Sequence, residues 1–185
     1  MKNPLNSENN NITTMTELHI STPNKGLPLG TKAPIFDTDD IDGDHLNLTE
    51  LLKKYDAILL DLFRGSWWIH CRTHLKYLNE NLPILKKYNV KLISIAIDLP
   101  DKLIKMKYKN NFKIQFITDR AGRISKAYNV FLDRKSATHD GLQISHAIPS
   151  KFLINKEGNI VWQYIGAKTD RPSIELIVEA FEKYL

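Results

Sequence analysis

The residue with the strongest nucleophilic and redox chemistry in this sequence is Cys71, the only cysteine among 185 residues. A single cysteine excludes an internal disulfide and a four-cysteine zinc site. The sequence places Cys71 in the first turn of a helix, where the helix dipole favours the thiolate, and Arg72 adds a neighbouring positive charge. Such a thiolate attacks a peroxide and becomes a sulfenic acid, which an outside thiol must then reduce. The alternative is a buried, unreactive cysteine that packs between a helix and a sheet.

Three histidines suggest a second kind of chemistry. His70 and His74 are four residues apart and share a helix face, and His146 could approach the same area. Together with Cys71 they would offer ligands for copper or zinc. Short pairings of this kind arise often by chance, so the favoured interpretation is that one histidine faces solvent and the other caps or packs. We therefore expect no metal and no other cofactor.

The composition excludes several classes of protein. Hydrophobic residues make up 42% and charged residues 25%, as in an ordinary globular domain. The net charge is +5, but Lys and Arg are scattered and form no basic face with interleaved aromatic residues, so we expect no nucleic-acid partner. The N-terminus lacks the apolar core of a secretory signal, and the longest apolar run is too short to cross a membrane. With a single free thiol, these features predict a reduced, cytoplasmic setting.

An acidic cluster at Asp40–Asp44 has the composition of a calcium-binding loop, but its spacing does not fit one. Counting back from Gly43 places Thr38 at the first ligand position, and no Glu stands at the closing position. The cluster therefore predicts a hairpin turn in which Gly43 supplies a positive φ.

The elements around the cysteine are predicted from apolar patterning. Ala57–Phe63 is a near-continuous apolar run, as expected of a central strand with both faces covered. A loop with Trp67 and Trp68 follows, and leucines at helical spacing then predict a helix over Ile69–Tyr88. Pro83 inside that helix removes a backbone donor, so it should kink the helix or divide it.

Strands and helices alternate along the rest of the chain, and a hairpin and a last helix close it. This order predicts an α/β fold with a mixed central sheet and helices on both faces. A long polar loop is expected over 131–146, where function is often found. Residues 1–26, rich in Asn, Ser and Thr, predict a flexible polar tail, so one domain is expected over 27–185.

Five stretches of the sequence carry a family resemblance, and the first of them contains the cysteine. Residues 63–75, FRGSWWIHCRTHL, resemble the active-site pattern F-R-G-x-W-C-P-x-C-R-x-x-L of the peroxiredoxin-like (AhpC/TSA, redoxin) branch of the thioredoxin superfamily. The other four resemble family stretches in the expected order: LGTKAPIF at 29–36, FITDRAGRISKAYNV at 116–130, IPSKFLINKEG at 148–158 and DRP at 170–172. The resemblance implies a thioredoxin-like three-layer α/β fold over about residues 29–185.

The same resemblance implies an altered redox site. The first cysteine of the usual C-x-x-C is replaced by Trp68, and only the second, Cys71, remains. In true peroxiredoxins the peroxidatic cysteine corresponds to Cys71, but Arg64 and Trp68 stand where that motif has Pro and Thr. The family's peroxide-binding Arg falls near Pro149. Because Arg64 and Arg72 are near the cysteine in sequence, they are candidates to replace it.

Two further features of the site follow from the family pattern. Pro149 matches the position that takes a cis peptide in thioredoxins, so a cis Ile148–Pro149 bond is expected beside the Cys71 loop; the alternative is an ordinary trans proline at the start of a strand. Trp67 matches the family's own tryptophan, and with Trp68 it is expected to form an apolar plug over the motif.

These patterns leave three functions open. The first is a one-cysteine thiol peroxidase or oxidoreductase that uses Cys71, takes a peroxide or disulfide substrate and depends on an external thioredoxin-like or glutathione-like thiol. Its expected site residues are Cys71, Arg72, Trp68 and Pro149. The second is a catalytically inactive binding module of the same fold, and the third is a metal-binding accessory protein. A homodimer is left open.

Overall fold

A computed structural model describes residues 18–135 and 144–185, which form ten strands and six helices. The strands are β1 (Leu18–Ile20), β2 (Asp37–Asp39), β3 (His45–Asn47), β4 (Ala57–Leu62), β5 (Val90–Ala96), β6 (Gln115–Thr118), β7 (Phe131–Leu132), β8 (His146–Ala147), β9 (Ser150–Asn155) and β10 (Ile160–Ile165). The helices are α1 (Leu48–Lys54), α2 (Ile69–Glu80), α3 (Leu82–Lys87), α4 (Pro100–Lys109), α5 (Arg123–Ala127) and α6 (Ile174–Tyr184).

The central sheet has six strands in the order β1-β10-β9-β4-β5-β6. Strands β4, β5 and β6 run parallel, whereas β9 is antiparallel to both β4 and β10. The parallel pairs need crossover helices, and the antiparallel pair β9–β10 needs only a tight turn, so the sheet is mixed as the element order predicted.

Two hydrophobic cores lie on opposite faces of this sheet because successive side chains of β4 point to opposite sides. Leu59 packs in one core with residues of α2, α4 and α6, and Leu60 packs in the other with residues of α1. The predicted three-layer, thioredoxin-like α/β architecture is therefore confirmed.

Several local predictions are also confirmed. The long helix divides into α2 and α3 at Asn81, two residues before Pro83, and Gly43 has a φ of +92° in the β2–β3 turn. Helix α1 begins after its N-cap Asn47, whose side chain accepts hydrogen bonds from the amides of Thr49 and Glu50.

The N-terminal segment differs from expectation within its described part. Strand β1 pairs in parallel with β10, with Ile20 opposite Ile165, and so adds an edge to the sheet inside the segment expected to be a tail. A strand of three residues is too short to show a periodicity in sequence. Residues 1–17 of that expected tail lie outside the described residues.

The predicted cis peptide before Pro149 is wrong: every peptide bond in 18–135 and 144–185 is trans. The trans chain on either side of this bond is well anchored. The amide of Ile148 donates to the carbonyl of Val130 at 2.7 Å, and the amide of Gly166 donates to the carbonyl of Pro149 at 2.8 Å. Because trans is the lower-energy form and these bonds are made from it, nothing in the local packing demands cis.

Candidate active site

Cys71 lies in the first turn of α2, as predicted. The N-cap of this helix is Trp68, and the amide of Cys71 donates to the Trp68 carbonyl at 3.1 Å. The Cys71 side chain is only 1% exposed and belongs to the core between α2 and the sheet. The thiol therefore sits at a helix N-terminus but beneath the molecular surface.

A guanidinium group contacts the buried sulfur. Nη2 of Arg171 donates a hydrogen bond to Sγ of Cys71 at 3.4 Å. Nη1 of the same side chain donates to the carbonyl of Asp170 at 2.6 Å and lies 3.4 Å from the carbonyls of Ala167 and Lys168. Arg171 thus joins the loop before α6 to the cysteine and places a fixed positive charge against the sulfur. Such a charge favours the anionic, nucleophilic form of a thiol.

The loop that carries Arg171 is itself held in place. The Asp170 carboxylate accepts hydrogen bonds from the Tyr164 hydroxyl at 2.5 Å and from Oγ of Ser21 at 2.8 Å. Burial, followed by the bond to Asp170, raises the pKa of the Tyr164 phenol. Gly166 permits the close approach of the loop to itself, because a Cβ there would lie 2.7 Å from the Asp170 carbonyl oxygen.

A buried ion pair lies on the same face of the sheet as the cysteine. Asp61 of β4 and Lys151 of β9 are direct cross-strand partners, and Nζ of Lys151 is 2.5 Å from Oδ1 of Asp61. Both side chains are 2% exposed, and Oγ of Ser94 donates to Oδ2 of Asp61 at 2.9 Å. Burial opposes the charge on Asp61, but Lys151, His74 and the two hydrogen bonds bring the pKa of its carboxyl below the usual value. Burial lowers the pKa of the Lys151 ammonium, and Asp61 counteracts that shift.

His74 lies on the buried face of α2, three residues after Cys71, and is 8% exposed. Burial, together with the positive charges of Lys151 and Arg171, lowers its pKa to about 3, with Asp61 opposing the shift. The imidazole is therefore neutral at physiological pH. Its Nε2 is buried and has no hydrogen-bond partner in the described part of the chain.

The lowered pKa of His74 predicts a specific acid sensitivity. Native His74 stays neutral down to about pH 3, whereas the unfolded chain takes up this proton near pH 6.5, so the free energy of unfolding falls as the pH drops between these values. We expect His74→Leu to reduce that slope by about 1 kcal/mol per pH unit. Urea unfolding at pH 7, 6, 5 and 4 measures it, and identical slopes for the two proteins would contradict the prediction.

Arg72 and Trp68, two further residues predicted from sequence, make different contacts. Nη1 of Arg72 donates to the carbonyl of Ser66 at 2.9 Å, so this side chain braces the loop before α2. Trp68 is half-buried, with the Arg64 guanidinium carbon 4.6 Å from its ring centroid and Lys168 Nζ at 5.5 Å. The Trp68 ring packs against the core that contains Cys71 and has cations close to it.

The three histidines proposed as metal ligands are in different environments. His70 is exposed, His74 is buried, and His146 of β8 is buried with Nδ1 2.8 Å from the carbonyl oxygen of Ile144. Within 18–135 and 144–185, no group of three His, Cys, Asp or Glu side chains is arranged to hold a metal ion.

Pro149 lines a small cleft beside the cysteine loop. The described residues leave a volume of about 20 Å³ there, bordered by Arg64, His146, Pro149 and Gly166 among others. A volume of this size admits one or two water-sized molecules. Residues 136–143 of the expected 131–146 loop lie outside the described residues, and its described ends pair as β7 and β8.

The closest contacts of this cluster are not predicted from sequence. Arg171 lies in the short family-like DRP stretch, Asp61 in the apolar run of β4, and Lys151 in the family-like stretch at 148–158. The available signal was a charged residue inside each buried strand, since such charges are almost always paired.

The family assignment follows from comparison with known proteins. The profile of the AhpC/TSA family matches residues 29–163, which include the cysteine, the buried ion pair and most of the sheet. The chain belongs to the AhpC/TSA family. This places it among the redox proteins of the thioredoxin superfamily, as the sequence motifs indicated.

Individual relatives of this AhpC/TSA protein have low sequence identity to it, but they align with it over most of both chains. The thiol-disulfide oxidoreductase ResA of Bacillus thuringiensis subsp. konkukian is 27% identical over 165 residues, 89% of this chain and 80% of the relative. Peroxiredoxin Bcp of Escherichia coli is 27% identical over 145 residues, 77% of this chain and 88% of the relative. Among solved structures, a yeast mitochondrial 1-Cys peroxiredoxin aligns with a TM-score of 0.70 at 19% identity, covering 84% of this chain and 75% of that one.

Among the described residues, no helix has the length and apolar character needed to cross a bilayer.

Proposed function

We propose that this protein is a one-cysteine, thiol-dependent peroxidase in which Cys71 is oxidised by a peroxide and reduced again by an external thiol. The observation that carries the proposal is the hydrogen bond from Arg171 Nη2 to Cys71 Sγ at 3.4 Å. A buried cysteine that only fills space does not require a guanidinium, whereas a positive charge beside the sulfur makes a cysteine more nucleophilic. The membership of the chain in a redox family supports the same function.

The reaction takes place in two stages. The sulfur of Cys71 attacks one peroxide oxygen, an S–O bond forms and the O–O bond breaks. The sulfur loses two electrons, and the thiol proton ends on the departing oxygen, which leaves as water or an alcohol. A first external thiol displaces water from the sulfenic acid to give a mixed disulfide. A second releases the Cys71 thiol and an external disulfide, so no second cysteine of this chain is needed.

The chain's own residues have distinct roles in this scheme. Arg171 places a hydrogen-bond donor and a positive charge against the sulfur, and the Lys151–Asp61 pair lies on the same face of the sheet. By the family resemblance Trp68 stands where a C-x-x-C protein has its first thiol, and its half-buried ring packs against the core that contains Cys71. Arg72 and Pro149 shape the loops around the cysteine rather than touching the sulfur.

A peroxide fits the site better than a protein disulfide. Exchange with a disulfide needs the attacking sulfur in line with two substrate sulfurs, and Cys71 is 1% exposed. Bcp is named a peroxiredoxin and ResA a thiol-disulfide oxidoreductase, so the relatives support both substrate classes. The burial of the sulfur supports the smaller one.

The test is peroxide consumption by the full-length protein with dithiothreitol as the external thiol. The proposal predicts catalytic consumption by the wild type, with several equivalents removed per protein, and none above background by Cys71→Ser. If folded wild type removes no more peroxide than Cys71→Ser, the protein is not a peroxidase.

The same burial supports a second candidate, a thioredoxin-fold binding module without catalysis. In that case Cys71 is a packing residue, and Cys71→Ala leaves the partner bound while no peroxide is consumed. Turnover by the wild type excludes this candidate as the whole function.

A further inference from the structure

One buried polar atom beside the cysteine is not accounted for by the fold. Nε2 of His74 is enclosed, yet none of the described residues forms a hydrogen bond with it. Buried polar atoms without partners are rare and destabilising, so each one needs a physical explanation. The ring of Tyr77 packs near His74, with 6.0 Å between the two ring centroids, but it supplies no acceptor for Nε2.

His74 belongs to the same polar cluster as the cysteine. Cys71 and His74 occupy the buried face of α2, one turn apart, above the Asp61–Lys151 pair of the sheet. The charges of Lys151 and Arg171 both act on His74, and Lys151 also interacts electrostatically with Cys71. The unpartnered nitrogen therefore lies within the field that surrounds the sulfur.

The protonation state of His74 makes it suitable as a neutral donor. A neutral imidazole carries one hydrogen, and placing it on Nε2 leaves a buried N–H that has no acceptor among the described residues. Because the ring remains neutral above about pH 3, this donor would be present throughout the physiological range. An imidazolium beside Lys151 and Arg171 would add a third positive charge to a site with a single carboxylate.

We infer that His74 Nε2 and Arg171 Nη2 together form a binding site for one oxygen atom on Cys71, so that the site accepts a hydrogen-peroxide-sized substrate and retains the sulfenic acid. The inference rests on the proposed peroxidase function. The transferred atom is the peroxide oxygen that becomes the S–OH oxygen, while the second oxygen leaves as water with the former thiol proton. His74 donates a hydrogen bond to the retained oxygen and is neither oxidised nor reduced.

The burial of the sulfur supports the same substrate class. Cys71 is 1% exposed, so the described residues leave almost none of its side chain open to a substrate. Hydrogen peroxide is only slightly larger than water, whereas an aryl or long alkyl hydroperoxide is many times that volume.

The decisive experiment compares wild type with His74→Leu and His74→Gln. Each reduced protein receives one equivalent of hydrogen peroxide, and intact-mass spectrometry follows the addition of one and two oxygens to Cys71. We expect His74→Leu to gain the first oxygen about tenfold more slowly and to lose the singly oxidised form sooner, since one hydrogen bond is removed. His74→Gln, whose amide nitrogen reaches a position similar to Nε2, should recover much of the rate.

Thermal unfolding separates this role from a structural one. Leucine replaces an unpartnered buried group with an apolar one of similar size, so His74→Leu should unfold at the wild-type temperature or above it. Slower oxidation together with undiminished stability supports the inference. Oxidation of a folded His74→Leu at the wild-type rate overturns it and leaves the peroxidase proposal standing.

Two measurements on the wild type keep the inference testable even if a variant fails to fold. Hydrogen peroxide should oxidise Cys71 faster than cumene hydroperoxide, and equal rates would overturn the size restriction. If neither peroxide oxidises Cys71 in the folded wild type, the peroxidase proposal itself fails, an outcome distinct from the failure of His74 alone.

Discussion

Replacing Lys151 by methionine lowers the free energy of unfolding by about 3–5 kcal/mol, the largest stability effect that we expect from any single substitution in this protein. The reason is the carboxylate that remains. Asp61 is 2% exposed, and without Lys151 it keeps only the hydrogen bond from Ser94. An ionised group buried in this way must either stay charged at high cost or bind a proton.

The design of the experiment follows from that reason. The double variant Asp61→Leu/Lys151→Met removes both charges and should recover most of the lost stability. The surface pair Lys156–Asp56 is a matched control, because its side chains are 60% and 49% exposed and Lys156→Met should cost less than about 1 kcal/mol. Urea unfolding gives the free energy of unfolding of the wild type and of these three variants.

The pH dependence supplies a further check on the ion pair. In Lys151→Met, burial without the ammonium should raise the pKa of Asp61, so the variant should be closer to wild type at pH 5 than at pH 8. If Lys151→Met is as stable as Asp61→Leu/Lys151→Met at both pH values, the claim that Asp61 depends on Lys151 as its buried partner is contradicted.

The largest expected effect on reactivity comes from Arg171. We expect Arg171→Leu to slow oxidation of Cys71 by hydrogen peroxide about 10- to 100-fold, the effect of one hydrogen bond to a charged group. Arg171→Lys keeps the charge but loses the forked donor geometry, so its oxidation rate should lie between those of wild type and Arg171→Leu. Intact-mass spectrometry on a time course gives the rates.

Two controls separate activation of the sulfur from loosening of the loop. Arg72→Leu removes a guanidinium that bonds to the Ser66 carbonyl instead of the sulfur, so it should change the rate far less. Asp170→Asn weakens the loop anchor to Tyr164 and Ser21 while retaining Arg171. If Arg171→Leu reacts faster than wild type and Asp170→Asn does too, Arg171 covers the sulfur and does not activate it.

The parts of the fold that the sequence predicted are those with strong local signals. The apolar run of β4, the division of the helix just before Pro83 and the position of Cys71 in the first turn of α2 depend on neighbouring residues only. The five family-like stretches then supplied the order of the layers. Strand β1 was missed because its pairing with β10 spans most of the chain.

The site was predicted less completely because its contacts are long-range. Arg171 is 100 positions from Cys71, and Lys151 is 90 positions from Asp61. Only the register of β4 against β9 shows that the two charges meet. Sequence proximity instead favoured Arg72, whose side chain turns to Ser66, and family analogy favoured a cis bond at Pro149 that the chain does not adopt.

The most direct test of a redox role for Cys71 is its response to a single equivalent of hydrogen peroxide in the folded wild-type protein. Our account predicts that intact-mass spectrometry finds one oxygen atom added at Cys71, that dithiothreitol removes it, and that Cys71→Ser shows no change. A folded wild type whose Cys71 keeps its mass under these conditions, while the urea-unfolded chain is oxidised, would contradict the account and identify Cys71 as a packing residue.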